Sequence, residues 1–175
     1  MTQTISYEIT GQIGEIEFRK YPRMVLATVL SPGNDSGFNL LFSYITGKNR
    51  TKRQIQMTAP VITSEKIAMT APVNMQQTEG KYAVSFLMPS RYTLETLPEP
   101  LDESVVIKEL PPQKIAAIRY SGTWSQERYE AKKTSLEEFL QTKGLVSTGE
   151  PVFARYNPPF ELWFLRRNEV LIPVE

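Results

Sequence analysis

The chain of 175 residues has the length of one domain or of two small fused halves, and 41% hydrophobic with 22% charged residues is ordinary for a soluble globular protein. A net charge of +1, with both signs interspersed, offers no field to draw in nucleic acid or an anionic membrane, and no apolar run approaches the roughly 20 residues that span a bilayer. There is neither Cys nor His, which excludes disulfides, thiolate nucleophiles, iron–sulfur clusters, Cys-bound zinc, the commonest general base and the usual proximal ligand of a haem iron.

Met1-Thr2-Gln3-Thr4 opens neither a signal peptide nor a basic transit segment, so a cytoplasmic protein is expected. Ile13 to Lys20 alternates loosely and predicts a half-exposed strand; it leads through Tyr21-Pro22 into Met24 to Leu30, a continuous apolar run that predicts a buried one. Ser31 to Gly37 is loop chemistry, with Asp35 or Ser36 placed to cap a helix over Phe38 to Ile45 that stops at Gly47. That helix is apolar on most sides, which implies deep burial or one face left over for a ligand. Lys48, Arg50, Lys52 and Arg53 follow as a basic cluster, a solvated loop in the simple reading and an anion clamp in the sharper one.

Ile-x-Met-Thr-Ala-Pro-Val then occurs twice, within Ile55 to Val73. Each copy alternates with period two and predicts a strand. Pro60 and Pro72 lack the donor a central ladder needs, so each copy should end, bulge or lie on an edge there. Tyr82 to Met88 predicts a strand, and Tyr92 to Asp102, with Pro98 and Pro100, an extended crossing segment. The second half retraces the first: Val105 to Leu110 leads through Pro111-Pro112 into Ile115 to Tyr120, and Thr123 or Ser125 caps an amphipathic helix over Gln126 to Lys143. Val152 to Tyr156, Phe160 to Leu165 and Val170 to Val174 supply closing strands. Strands, helix, strands in each half predict a single α+β domain over 1–175. It is a distorted antiparallel β-barrel or curved sheet with two helices, built from two pseudo-symmetric β-α-β-β halves, about 10–100 and 101–175, with a cleft between them.

Several local patterns coincide: Glu17-Phe18-Arg19-Lys20-Tyr21-Pro22, Tyr44-Ile45-Thr46-Gly47-Lys48-Asn49, the doubled Met-Thr-Ala-Pro-Val, Phe86-Leu87-Met88-Pro89, Tyr156-Asn157-Pro158-Pro159 and Arg166-Arg167-Asn168-Glu169-Val170. Together they resemble the SOUL haem-binding protein family over nearly the whole chain. The resemblance implies the barrel-like fold shared with the gyrase-inhibitor-like group, and haem or another tetrapyrrole held between the first helix and a segment near the C-terminus. Family members that use a Met and a Lys on that helix and a further Lys near the end correspond here to Phe42, Ser43 and Leu162, so an apolar cleft carries over and its polar anchors do not.

The cleft so implied takes Leu41, Phe42 and Ile45 from the helix and Leu162 and Trp163 from the C-terminal segment, with Arg50 or Arg166 (Lys52 and Arg167 as further choices) for a ligand's carboxylates. For iron, Tyr44, Met57, Met69 or Met88 offers phenolate or thioether, although core packing is the simpler role of each. An enzymatic alternative, resembling gyrase-inhibitor-like binders and hydrolases, rests on Glu161: strand alternation would put it beside Trp163 and Leu165, where an apolar setting raises a carboxyl pKa for acid or base work. A binding protein for a tetrapyrrole or other flat hydrophobic molecule is the first reading, and Glu161 facing water is the plain alternative to catalysis.

Overall fold

The computed structural model describes residues 3–31, 34–50, 70–78, 81–157 and 160–175. After a two-residue strand, β1 (Gln3–Thr4), the chain forms a hairpin of β2 (Glu8–Ile13) and β3 (Ile16–Tyr21), turned at Gly14 with φ +59°. The one strand expected over Ile13 to Lys20 is therefore parts of two, because a positive-φ Gly in a two-residue loop is what a twisted hairpin needs. Next come β4 (Met24–Ser31) and α1 (Asn34–Thr46). The helix begins a turn earlier than expected, so Asp35 and Ser36 lie inside it rather than capping it.

Short β5 (Asn49–Arg50) precedes β6 (Thr70–Thr78), β7 (Lys81–Leu87) and short β8 (Glu99–Pro100). The first copy of the doubled motif, including Met57 and Pro60, lies outside the described residues, as does Met69. The second copy enters β6, whose register with β7 shifts between Thr70 and Val73, on either side of Pro72. A bulge there accommodates the missing N–H. The remaining elements are β9 (Val106–Leu110), β10 (Gln113–Ser121), α2 (Gln126–Thr142), β11 (Val152–Arg155) and β12 (Arg167–Val174). Ser125 caps α2, its side chain accepting from the Arg128 N–H at 3.2 Å.

Nine strands run in the order β2-β3-β10-β12-β11-β6-β7-β4-β9, with β1 parallel to the start of β6 and β5-β8 forming a separate small sheet. The nine-strand path is antiparallel throughout. Sequence neighbours exchange partners: β3 leads into β4 but pairs with β10, whereas β9 leads into β10 but pairs with β4. This crossing stitches the two ends of the sheet together.

Among the described residues the sheet does not close, so the structure is a curved sheet rather than a barrel. Its curvature shows in the packing: Ile115 on β10 and Leu26 on β4, with four strands between them in sheet order, share one apolar cluster with Tyr21, Met24, Leu87 and Leu171. The opposite face carries the larger cluster, where Leu41, Tyr44 and Ile45 of α1 and Leu136 and Leu140 of α2 pack onto Val29, Phe86, Ile118, Phe153 and Ile172.

Leu136 is 0% exposed and seats α2 on the sheet. Truncating a fully buried Leu removes its transfer energy and leaves a cavity, so Leu136→Ala should lower stability by about 2–5 kcal/mol. Urea unfolding of the two proteins measures the difference, and a loss under half a kcal/mol would contradict this packing.

Candidate functional site

Strand alternation turns Arg19 of β3 and Glu169 of β12 to the face away from the helices, where they are 2% and 0% exposed. They form a bidentate pair, both N–H···O distances 2.7 Å. Glu169 also accepts from the Tyr156 hydroxyl at 2.7 Å and from Arg167 at 2.9 and 3.1 Å. Arg19 donates further to Glu17 at 2.8 Å and Tyr21 at 3.1 Å, and its guanidinium carbon lies 4.3 Å from the Tyr7 ring centre. Five donated hydrogen bonds occupy the roughly four lone-pair sites of the Glu169 carboxylate. It has no lone pair left to take a substrate's proton, and its role is structural.

Burial alone would push the Glu169 pKa up, but the hydrogen bonds and charge of Arg19, with Tyr156 and Arg167, hold it below its ordinary value. Burial likewise works against the charged form of Arg19, yet Glu169 and Tyr21 keep its guanidinium firmly protonated. Tyr156 is pushed up, first by burial and then by the Glu169 charge.

The same network closes the neck of the β11–β12 connection. The Tyr156 N–H donates to the Arg167 carbonyl at 3.2 Å, and the Arg167 N–H donates to Asn157 Oδ1 at 2.6 Å. Between these bonds the chain forms a 3-10 turn, Trp163–Leu165, and Arg166 Nε donates to the Glu161 carbonyl at 3.0 Å. The strand expected over Phe160 to Leu165 is thus an anchored loop, because its polar groups are satisfied locally rather than by a ladder. With the strand goes the face that was to set Glu161 beside Trp163 and Leu165. The loop displays Phe160, Leu162, Trp163, Phe164 and Leu165 at 87%, 56%, 55%, 52% and 57% exposure. So dense an apolar display is the signature of an interaction site.

At the base of this loop Arg166 stacks on Trp124, guanidinium carbon 4.4 Å from the indole centre, and Arg155 of β11 does the same at 4.6 Å. Buried Asn168 fixes the indole, accepting from Trp124 Nε1 at 2.8 Å and donating to the Gly122 carbonyl at 3.1 Å. Gly122 has φ +121°, and the Arg128 guanidinium fills the space that a side chain there would need. The positive φ is what calls for glycine at 122, since the exposed Arg128 side chain could move aside.

The sequence-expected residues fall into two groups. Leu41 and Ile45 are buried in the core, Phe42 is half-exposed and stacked on Phe38 with centroids 6.1 Å apart, and Arg50 is exposed on β5. Tyr44 is buried, its hydroxyl donating to the Pro98 carbonyl at 2.6 Å, and Met88 is buried too. Leu162, Trp163 and Arg166 belong to the loop at the other part of the sheet: α1 packs on β4 and β7, the 3-10 turn on β10. Arg167 is drawn into the Glu169 network, and Lys52 lies outside the described residues. Sequence reasoning missed Trp124, Arg128 and Arg155 as a cluster, although Trp124 is one of only two tryptophans in the chain.

The SOUL heme-binding protein family model matches residues 2–173. The chain belongs to that family. It is 28% identical to heme-binding protein 2 of Homo sapiens, over 90% of this chain and 81% of the human one, and 28% identical to heme-binding protein 2 of Mus musculus, over 93% and 83%. Among solved structures it resembles the EcmrR C-terminal domain, with a TM-score of 0.61 at 10% identity over 94% of this chain and 99% of that one. A hydrolase from Listeria innocua gives a TM-score of 0.58 at 11% identity over 95% and 94%. At such identities these two likenesses describe the fold of this SOUL protein and nothing of its chemistry. No helix among its described residues is long and apolar enough to cross a membrane, and none of their acidic side chains gather into a metal-holding group.

The Arg19–Glu169 pair should govern the acid limit of stability. Because Glu169 titrates below its ordinary 4.5 in the folded protein, its contribution is full above that pH and is lost as pH falls through the lower folded value. Glu169→Ala leaves Arg19 buried without its partner and should cost about 3–5 kcal/mol at neutral pH. Denaturant unfolding at a series of pH values should show wild-type stability dropping below 4.5 and a flatter profile for the variant. Parallel profiles would remove Glu169 from this role.

Proposed function

We propose that this SOUL protein is a cytoplasmic binding protein for haem or a related tetrapyrrole, held by its flat apolar body and its carboxylates rather than through a histidine on iron. One observation carries the reading: five large apolar side chains stand exposed on the anchored loop between Phe160 and Leu165, with the guanidinium of Arg166 beside them. Leu162 and Trp163 would contact the ring, and Arg166 a carboxylate. A bound haem supplies the absorbance and redox chemistry of its iron, and the protein supplies seating and orientation.

The donor set supports a ring-held ligand. The chain has no His or Cys, the Tyr44 hydroxyl is committed to the Pro98 carbonyl and Met88 is buried in the core, while Met57 and Met69 lie outside the described residues. An apolar seat with convergent guanidinium groups is how a flat amphiphile is recognised without a metal ligand. Glu161, on the loop rather than on a strand, has no geometric support as a catalytic acid or base.

Titration with hemin should give a saturable Soret shift together with quenching of tryptophan fluorescence, and iron-free protoporphyrin should bind as tightly as hemin. Burying an aromatic side chain of this size is worth about 1.5–3 kcal/mol, so Trp163→Ala combined with Phe164→Ala should weaken binding at least about tenfold. A featureless titration would end the tetrapyrrole reading, and an unchanged affinity in the double variant would move the ligand off this loop.

A further inference from the structure

The C-terminal half of α2 borders a cleft that neither the Glu169 network nor the Phe160–Leu165 loop uses. Gly144, at φ +68°, reverses the chain, and the Leu145 N–H donates to the Leu140 carbonyl at 2.9 Å, a left-handed glycine ending that stops the helix. The segment 145–151 is then pinned to the sheet. The Thr148 N–H donates to the Pro173 carbonyl at 2.9 Å, the Glu175 N–H to the Val146 carbonyl at 3.2 Å, and Gln76 Nε2 to the Glu150 carbonyl at 3.3 Å. Gly149 lies so close over Pro173 that a Cβ there would stand 3.2 Å from the ring. Helix and pinned segment face each other across a cavity of about 340 Å³, with buried Leu140 and Ile172, apolar Leu145 and Pro151, and exposed Glu137 and Glu150 in its lining. That volume falls in the range of about 300–1,000 Å³ in which small-molecule sites are found.

The charges of this cleft decide what suits it. Among the described residues neither Glu137 nor Glu150 has an ion-pair partner. Lys133, one turn before Glu137, pairs with Glu130 at 3.3 Å, Lys132 reaches Glu15 at 3.6 Å, and Lys143 lies 6.0 Å from the Phe139 ring centre. The two carboxylates come from different elements yet bear on one phenol: Tyr129 is pushed up to about 12, first by burial, then by Glu130 and Tyr120, and then by Glu137 and Glu150 alike. The carbonyl end of α2 adds negative potential to the same place. An apolar hollow with two uncompensated anions beside it complements a cation that carries an apolar body, and it repels carboxylates.

We propose that this cleft is a second ligand site, for a small organic cation whose ammonium or guanidinium group meets Glu137 and Glu150 while its apolar body lies on Leu140, Leu145, Pro151 and Ile172. The site is independent of the tetrapyrrole reading, because no residue of the Phe160–Leu165 loop lines the cleft. Its walls are held by backbone hydrogen bonds, so it is formed before a ligand arrives.

The test is calorimetric titration of the full chain with tryptamine and with tryptophol, which has the same ring and chain but a neutral hydroxyl in place of the ammonium. Tryptamine should bind saturably and, at low salt, about fivefold or more tighter than tryptophol, as expected for partly screened ion pairs, with the advantage shrinking as salt is raised. Glu137→Gln combined with Glu150→Gln should bring tryptamine to the affinity of tryptophol, leave tryptophol unchanged and keep the wild-type melting temperature, since both side chains are exposed. Trp163→Ala combined with Phe164→Ala should bind tryptamine as wild type does. Absence of saturable binding would overturn the site, and equal wild-type affinities for the two compounds would overturn its preference for cations. Unchanged tryptamine binding in the glutamate variant, or its loss in the Trp163 and Phe164 variant, would place the amine elsewhere and overturn the proposal without touching the tetrapyrrole reading.

Discussion

A guanidinium and a carboxylate that sit out of water in a bidentate pair hold this sheet in one arrangement. Arg19 and Glu169 are not on adjacent strands: β10 runs between β3 and β12, and the two side chains meet above it. The residue of β10 between their register partners Ile115 and Arg119 on that face is Ala117, buried and small enough for the guanidinium to pass over. A one-residue slip of β12 would turn Glu169 to the helix face and leave Arg19 buried without its counter-charge, so the pair specifies register as well as stability. Because β3 leads into β4 yet pairs with β10, while β9 leads into β10 yet pairs with β4, fixing that register also fixes the strand exchange.

The network reaches the surface through its own members. Tyr156 and Arg167 both bond to Glu169 and also begin and end the excursion that carries the exposed apolar turn. A loop that displays Phe160, Trp163 and Phe164 to water would be a liability if its ends could drift. Here both ends are tied, through Tyr156 and Arg167, to the buried Glu169 carboxylate. Preorganisation of this kind reduces the entropy a ligand must overcome on docking.

Local sequence patterns made much of the fold readable. The apolar runs Met24 to Leu30, Tyr82 to Met88 and Ile115 to Tyr120 and the Ser125 cap all became the elements they predicted, because each depends on local burial or one capping side chain. Pro72 produced the bulge that its missing donor required. Pairing was a different matter. Nothing within Ile13 to Lys20 shows that its partner is β10, and the Arg19–Glu169 contact spans 150 positions, although both residues stood in patterns that marked the family. Phe160 to Leu165 misled for the opposite reason: its apolar residues suited a short strand, but Asn157 and the Arg166 side chain satisfied the nearby backbone first and closed a loop where a strand had been read.

The fold itself sets few limits on what is bound, since the same curved sheet appears at about a tenth of the residues in common in the EcmrR C-terminal domain and in a Listeria innocua hydrolase. The junction of the loop with α2 is held by the same strand that carries Glu169. There Asn168 is held inside the sheet beside Glu169, braces Trp124 with one end of its amide and the Gly122 backbone with the other, and so sets the platform on which Arg155 and Arg166 stack. One buried stretch of β12 therefore does two things. Glu169 neutralises the cations inside the sheet, and its neighbour Asn168 positions the cations outside it. The residue that fixes the sheet's register is thus the immediate neighbour of the one that places the indole and its two guanidinium groups.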